Sequence, residues 1–190
     1  TYVMVGDGCL MEGISQEVLT FAGHQKLNNI IVLFDDNGIT IDGGTNLSTS
    51  EDHLKRFQAN GWITEQIDGH DFKAIEHALE KAQTATAPVL IACKTKIGFG
   101  APTKEGSNKA HGAPLGAAEI KGAKDRLNWP YGSFEIPDDV LRVWRDVWQR
   151  NAPAYEQWQH VMKAMAPEEK QHYHEHTAVH VPPSLEAAIK

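Results

Sequence analysis

Two short polar signals follow apolar runs in this sequence, and both offer oxygen ligands. Gly6-Asp7-Gly8 comes directly after Tyr2–Val5, and Asp35-Asp36-Asn37-Gly38-Ile39 comes directly after Ile30–Phe34. A carboxylate, a side-chain amide and a main-chain carbonyl are the hard donors that Mg²⁺ or Ca²⁺ prefers. Twenty-nine residues separate Asp7 from Asn37, enough for a helix and a return strand. If the two apolar runs are neighbouring strands, their ends lie about 5–10 Å apart, so Asp7 and Asn37 can share one cation. Mg²⁺ completes its octahedron readily with phosphate oxygens, which makes a diphosphate its natural companion. The glycines beside Asp7 let the chain turn sharply and let a ligand approach the backbone. Each signal alone is an ordinary turn, because Gly, Asp and Asn dominate turns. Their placement at two strand ends is what singles them out.

A third segment belongs with these two. Lys96 to Leu115 holds four glycines and two prolines among polar residues and reads as one long irregular loop. Loops of that length inside a compact domain are uncommon and often functional. His111 lies within it, flanked by small residues with no apolar face to fill, so a working role outweighs a packing role.

The elements that would position these residues follow from periodicity. Tyr2–Val5, Ile30–Phe34 and Val89–Cys93 read as buried strands, and Trp62–Ile67 is a fourth with weaker patterning. Helices are predicted near Ser15–Gln25, Asp52–Asn60 and Asp71–Ala85; in the last, Phe72, Ile75, Ala78, Leu79 and Ala82 recur at helical spacing, with Asp71 as N-cap. Val- and Ile-rich strands alternating with helices predict an α/β fold, a parallel sheet with helices on both faces. Such sheets bind ligands at the carboxyl ends of their strands. Beyond the loop, helices are predicted at Ala117–Leu127, Asp138–Asn151 and Ala154–Met165, with Pro137 before the second and Pro153 opening the third. Residues 1–136 are read as the binding domain, 137–180 as a helical C-terminal extension and 181–190 as a linker. Trp144, Trp148 and Trp158 are read as packing residues. His172, His174, His176 and His180 alternate in what reads as a solvated polar tail.

Composition narrows the class. The chain has 190 residues, 41% hydrophobic and 23% charged, with a formal net charge of −7. That balance argues against a nucleic-acid partner, which needs a basic face. No apolar run approaches the roughly 20 residues needed to span a membrane. Cys9 and Cys93 form no disulfide or metal framework and read as small buried residues of a reducing compartment, which points to the cytoplasm. The chain opens inside a strand without an initiator Met, and Val181-Pro-Pro-Ser-Leu reads as a linker. Both features predict a piece of a longer protein.

Five blocks together resemble the transketolase family, in the same order. They are Gly6-Asp-Gly-Cys-Leu-Met-Glu-Gly-Ile-Ser15, Asp35-Asp-Asn-Gly-Ile-Thr-Ile-Asp-Gly43, Ile67-Asp-Gly-His-Asp71, Lys94-Thr-Lys-Ile-Gly-Phe-Gly100 and His111-Gly-Ala-Pro-Leu-Gly116. The resemblance continues more thinly through Trp129 and Phe134-Glu-Ile-Pro137 and fades beyond about residue 140. It implies a thiamine diphosphate-binding fold, incomplete at its N-terminus. It implies transfer of a two-carbon ketol unit between sugar phosphates, with thiamine diphosphate and Mg²⁺ or Ca²⁺ as cofactors.

By the same resemblance, Asp7, Asn37 and the carbonyl of Ile39 bind the metal, and Gly8 and Asn37 contact the diphosphate. Ile41 packs beneath the thiazolium ring, although from the residues alone it reads as ordinary core. His111 lies near both diphosphate and sugar and serves catalysis. Glu12 falls at the subunit interface of a homodimer, although a glutamate favoured by a helix dipole fits it too. His70 belongs to a family-like block and orients a loop. The aminopyrimidine-binding domain would come from a second subunit or complementary half, so the chain alone is expected to be inactive. Two alternatives stand beside this reading: a dihydroxyacetone synthase-like relative, and a non-catalytic half-protein that pairs with a partner.

Overall fold

The Val- and Ile-rich runs become strands because their β-branched side chains suit a pleated surface covered on both faces. In the computed structural model, which describes residues 1–178 and 187–188, the order is β1 (Tyr2–Gly6), α1 (Gly13–His24), β2 (Ile31–Asp36), a small hairpin of β3 (Ile39–Thr40) and β4 (Gly43–Gly44), α2 (His53–Ala59), β5 (Ile63–Asp68), α3 (Phe72–Gln83), β6 (Val89–Lys94), α4 (Ala117–Arg126), α5 (Asp138–Ala164) and α6 (Pro167–Thr177). Strands β1, β2, β6 and β5 form one parallel sheet in that order. The chain divides into two compact units, residues 1–130 and 131–190.

In the first unit, alternation along the two central strands builds a core on each face of the sheet. Val32 and Phe34 of β2, with Leu90 and Ala92 of β6, meet Leu19 and Ala22 of α1, Phe57 of α2 and Trp62. On the opposite face Ile31, Val89 and Ile91 meet Ala78 and Ala82 of α3. The buried indole N–H of Trp62 donates to the Leu19 carbonyl at 2.9 Å, and its ring stands edge-on to Phe57 with centroids 5.0 Å apart. Asp71 caps α3 as the sequence predicts, accepting from the main-chain N–H groups of Lys73 and Ala74.

β1 is a strand but is not buried. It lies at the edge of the sheet, where Tyr2, Val3 and Met4 are exposed, Met4 by 81%. With no neighbour beyond it, an apolar groove lined by Val3, Val5, Ile14, Val18 and Leu19 opens between β1 and α1. Cys9 is exposed rather than buried, because it falls in the turn after the strand; Cys93 is half-buried, and both thiols are free.

The second unit differs from expectation at Pro153, where α5 runs unbroken from Asp138 to Ala164. The apolar stripe continues in phase through the proline: Tyr155 lies against Trp148 on one side and stacks on Trp158 on the other, at 5.8 and 5.6 Å. The carbonyl that Pro153 leaves without its helical donor belongs to exposed Gln149, where water can serve it. Trp144, Trp148 and Trp158 line this stripe and are exposed; the rings of Trp148 and Trp158 pack on Tyr155 of their own helix. The His-rich tail is helical through Thr177. Pro167 suits its first turn, and the Glu169 carboxylate accepts from the N–H of Ala166 at 3.2 Å. His172 and His176 share one face of α6; His180 and most of the expected 181–190 linker lie outside the described residues. No helix among the described residues is long and apolar enough to cross a membrane.

Gly23 of α1 marks the closest approach in the core. A Cβ there would lie 1.8 Å from the carbonyl oxygen of Asn60. Gly23→Ala is expected to destabilise the chain by about 1–3 kcal/mol, as overpacking does. Denaturant unfolding should show a lower midpoint with an unchanged slope.

Candidate functional site

Parallel pairing brings the polar strand ends to one edge of the sheet. Gly6 lies opposite Asp35, Asp35 opposite Cys93, and Asp36 opposite Lys94. Asp7 follows β1 immediately and heads a 3₁₀ turn over Gly8–Met11. Asp7 is 5% exposed, and the main-chain N–H of Gly38 donates to its Oδ2 at 3.2 Å. The two signals thus meet: the Asp7 carboxylate rests on the turn formed by Asn37, Gly38 and Ile39. Within that turn Ile39 N–H donates to Asn37 Oδ1 at 2.9 Å, and Asn37 Nδ2 donates to Asp35 Oδ2 at 3.1 Å. The other Asp35 oxygen accepts from the Thr95 hydroxyl.

The electrostatics favour a cation here. Burial pushes the Asp7 carboxyl above its ordinary value and nearby Asp36 adds to this, while the Gly38 hydrogen bond acts in the opposite direction. Lys94 pairs with Asp36 at 2.7 Å, so that cation is engaged beside Asp7. A buried carboxylate is stable when paired or coordinated to metal. Among the described residues no three His, Cys, Asp or Glu side chains form a metal cluster. The candidate set is of another kind, one carboxylate with an amide and a carbonyl.

Gly6 and Gly8 correct one step of the sequence argument. Neither has a positive φ, so the bend at Asp7 does not itself require glycine. A Cβ built at either would meet no protein atom within 4 Å. Packing does not demand glycine there either, so the backbone beside Asp7 is open to approach. Gly38 differs, with φ +71°, and its N–H is the one that reaches Asp7.

The remaining residues fall at varying depth. Ile41, at the tip of the β3–β4 hairpin, is 72% exposed, so the ordinary-core reading fails. Glu12 precedes α1, exposed, and its side chain makes no cap hydrogen bond. Asn108 Nδ2 donates to the Ile41 carbonyl at 3.2 Å, which ties the long loop to the hairpin three residues before His111. The His111 N–H donates to the Asn108 carbonyl at 3.0 Å, and the residue is exposed.

The loop is braced throughout. His70 Nε2 accepts from the N–H of Lys96 at 3.0 Å, and its ring stacks on Phe99 with centroids 4.0 Å apart, so His70 orients the loop at its root. Glu105 accepts from the Gly100 N–H at 2.8 Å; that bond, aided by Lys96 and Arg126, holds its carboxyl below the usual range. Thr103 binds Glu119 of α4, and Lys104 Nζ reaches the Pro114 and Leu115 carbonyls at 3.2 and 2.8 Å.

Thr95 and His53 join the site without any local signal in the sequence, and Asp35 stands in the second polar signal with no role marked by it. Thr95 comes from the register of β6, which no local pattern reveals. His53 opens α2 with its ring edge-on to Phe34 at 5.4 Å, and its charge would favour ionised Asp7. Its buried Nδ1 makes no hydrogen bond, the Glu51 carboxylate being 3.5 Å away. In the sequence it looks like any residue after an N-cap.

A parallel sheet whose strand ends gather a buried carboxylate, an amide turn and open glycines defines a cofactor-binding α/β domain. Residues 1–182 match the family described as transketolase, thiamine diphosphate binding domain, and the chain belongs to that family. It is 49% identical over 158 residues to a transketolase of Sinorhizobium medicae, covering 83% of this chain and 23% of the relative. The crystal structure of transketolase from Campylobacter jejuni superposes with a TM-score of 0.82 at 40% identity, over 88% of this chain and 27% of that one. A Pichia stipitis transketolase in complex with sedoheptulose-7-phosphate gives 0.80 at 39% identity, over 86% and 25%. The chain therefore spans about a quarter of the length of these relatives.

Because Asp7 titrates above its ordinary value in the fold, the native state holds that proton more tightly than the unfolded chain. The stability this confers is present at low pH and is lost as pH rises through the raised value. At neutral pH without divalent cation, Asp7→Asn is expected to raise the thermal midpoint. Calorimetry at falling pH should show the gain shrinking toward zero as the ordinary carboxylate range is reached.

Proposed function

We propose that this chain is the diphosphate- and metal-binding part of a transketolase, which moves a two-carbon ketol unit from a ketose phosphate to an aldose phosphate. The observation that carries the reading is the contact of buried Asp7 with the Asn37–Ile39 turn. It lies beside glycines whose Cβ space is open. Asp7, the Asn37 side chain and the Ile39 carbonyl would hold Mg²⁺ or Ca²⁺, an all-oxygen set suited to either ion. Gly8 and Asn37 would contact the diphosphate and so fix where the reactive end of the cofactor lies. When bound, thiamine diphosphate supplies the nucleophilic carbon for ketol transfer. Ile41, exposed at the hairpin tip, would lie beneath the thiazolium ring and exclude water from it. His111 would hydrogen-bond a substrate hydroxyl and carry its proton during carbon–carbon cleavage.

The same proposal assigns residues 1–136 to cofactor binding, 137–180 to a helical extension and 181–190 to a link toward a second domain. The apolar groove beside β1 would be covered by a further segment of the full-length protein. Glu12 would face the second subunit of a homodimer, which supplies the aminopyrimidine-binding domain. Sugar phosphates as substrates are supported by the ligand named for the Pichia stipitis relative. The two free cysteines support a reducing compartment such as the cytoplasm.

Two measurements test the reading. The isolated chain should bind thiamine diphosphate weakly in calorimetry with Mg²⁺, since it holds only the diphosphate end; submicromolar affinity would show that the binding determinants are misplaced. His111→Ala should leave the stability of the chain within about 0.5 kcal/mol. In the full-length enzyme the same change should lower kcat/KM by about 10²-fold or more. Unaltered kinetics, or lost stability with intact activity, would make His111 structural.

A further inference from the structure

We infer that Asp35, held by Thr95, is the positioning group that decides which end of the Asn37 side chain faces the cation. The inference rests on the metal role proposed for Asn37. An asparagine amide has one end that accepts and ligates and another that only donates. A half-turn about its last torsion exchanges the two with little change in shape. An asparagine that must present oxygen therefore needs neighbours that distinguish the ends.

Two neighbours do so from opposite sides. The Asp35 carboxylate, an acceptor only when ionised, takes the NH₂ end at 3.1 Å. The Ile39 N–H, a donor only, meets the oxygen end at 2.9 Å. A flipped amide would set oxygen against carboxylate and NH₂ against N–H, losing both bonds at once. In the observed orientation Oδ1 uses one lone pair on Ile39 and keeps the second for a ligand. The Ile39 bond is local to the turn, whereas Asp35 links the turn to the sheet. Its second oxygen is held by the Thr95 hydroxyl, one residue beyond β6, whose N–H also donates to the Asp36 carbonyl at 3.4 Å. Asp35 is exposed, so water and salt screen its charge and its effect is chiefly orientational. Partners behind a metal ligand commonly govern affinity in this way.

The experiment uses the full-length protein with thiamine diphosphate and Mn²⁺ as a paramagnetic probe, titrated by electron paramagnetic resonance. Asp35→Asn, whose amide can favour the flipped Asn37, should weaken Mn²⁺ binding about 10–100-fold. The metal-free thermal midpoint should stay near that of the wild type. Thr95→Val should weaken binding in the same direction by a smaller factor, and Thr95→Ser should restore it. The losses should persist at high salt, where a pure field effect fades. Wild-type affinity in both Asp35→Asn and Thr95→Val, with weakened binding in Asn37→Ala, would overturn the positioning role and leave Asn37 a ligand. Wild-type affinity in Asn37→Ala as well would instead remove the metal assignment. A loss in Asp35→Asn that vanishes at high salt would also overturn the inference, since charge rather than orientation would then be at work.

Discussion

The arrangement at the strand ends depends on where the Asp7 carboxylate is buried. A charged oxygen removed from water must find donors or a cation, and the donor it finds is the N–H of Gly38, thirty-one positions along the chain. That bond requires β1 and β2 to be parallel neighbours in their observed register, because a slip of one residue would turn Asp7 away. It also requires the positive φ of Gly38, which turns the N–H back toward β1. One contact thus couples sheet topology, turn conformation and the charge of the site. The upward shift of the Asp7 carboxyl is the cost of that placement in the metal-free chain; a divalent cation would reverse it.

Around this centre, rigidity comes from side chains bonded to backbone rather than from regular structure. The stretch after β6 contains almost no helix or strand, yet His70, Glu105, Glu119 and Lys104 each hold main-chain N–H or carbonyl groups along it. Gly122 lies against Pro102 of the loop, where a Cβ would come within 2.2 Å of the ring, and Gly100 takes a positive φ of +87° against Leu127. A loop satisfied in this way can hold His111 at the surface in a defined place while leaving its side chain exposed.

Elsewhere the molecule exposes more apolar surface than a self-contained domain would. The outer edge of β1, the groove beside α1 and the aromatic stripe of α5 all lie open. An open parallel edge carries unpaired main-chain donors and acceptors as well as apolar side chains, and natural proteins seldom leave one uncovered. These surfaces agree with a chain that spans about a quarter of the length of its relatives.

The sequence alone determined the layered α/β plan, since strand and helix periods are local properties of the chain. It also determined that Asp7 and Asn37 stand at strand ends, because each follows an apolar run directly. Asp71 as an N-cap and His70 as a residue that orients a loop were legible for the same reason: their partners lie nearby in the chain or within a recognisable block. What the sequence could not determine was anything that depends on neighbours distant along the chain. Tyr2–Val5 reads as a buried strand, and only the strand order makes it an edge. Pro153 reads as a helix start, and only the stacking of Trp148, Tyr155 and Trp158 shows that the helix runs through it. Gly6 and Gly8 read as glycines that a sharp turn needs, and only their φ values and the empty space beyond them show that neither turn nor packing requires glycine there. The hold of Asp35 and Thr95 on Asn37 arises from the register of β6 beside β2. Register is set by the packing of both sheet faces at once, a property of the whole core that no single stretch of sequence contains.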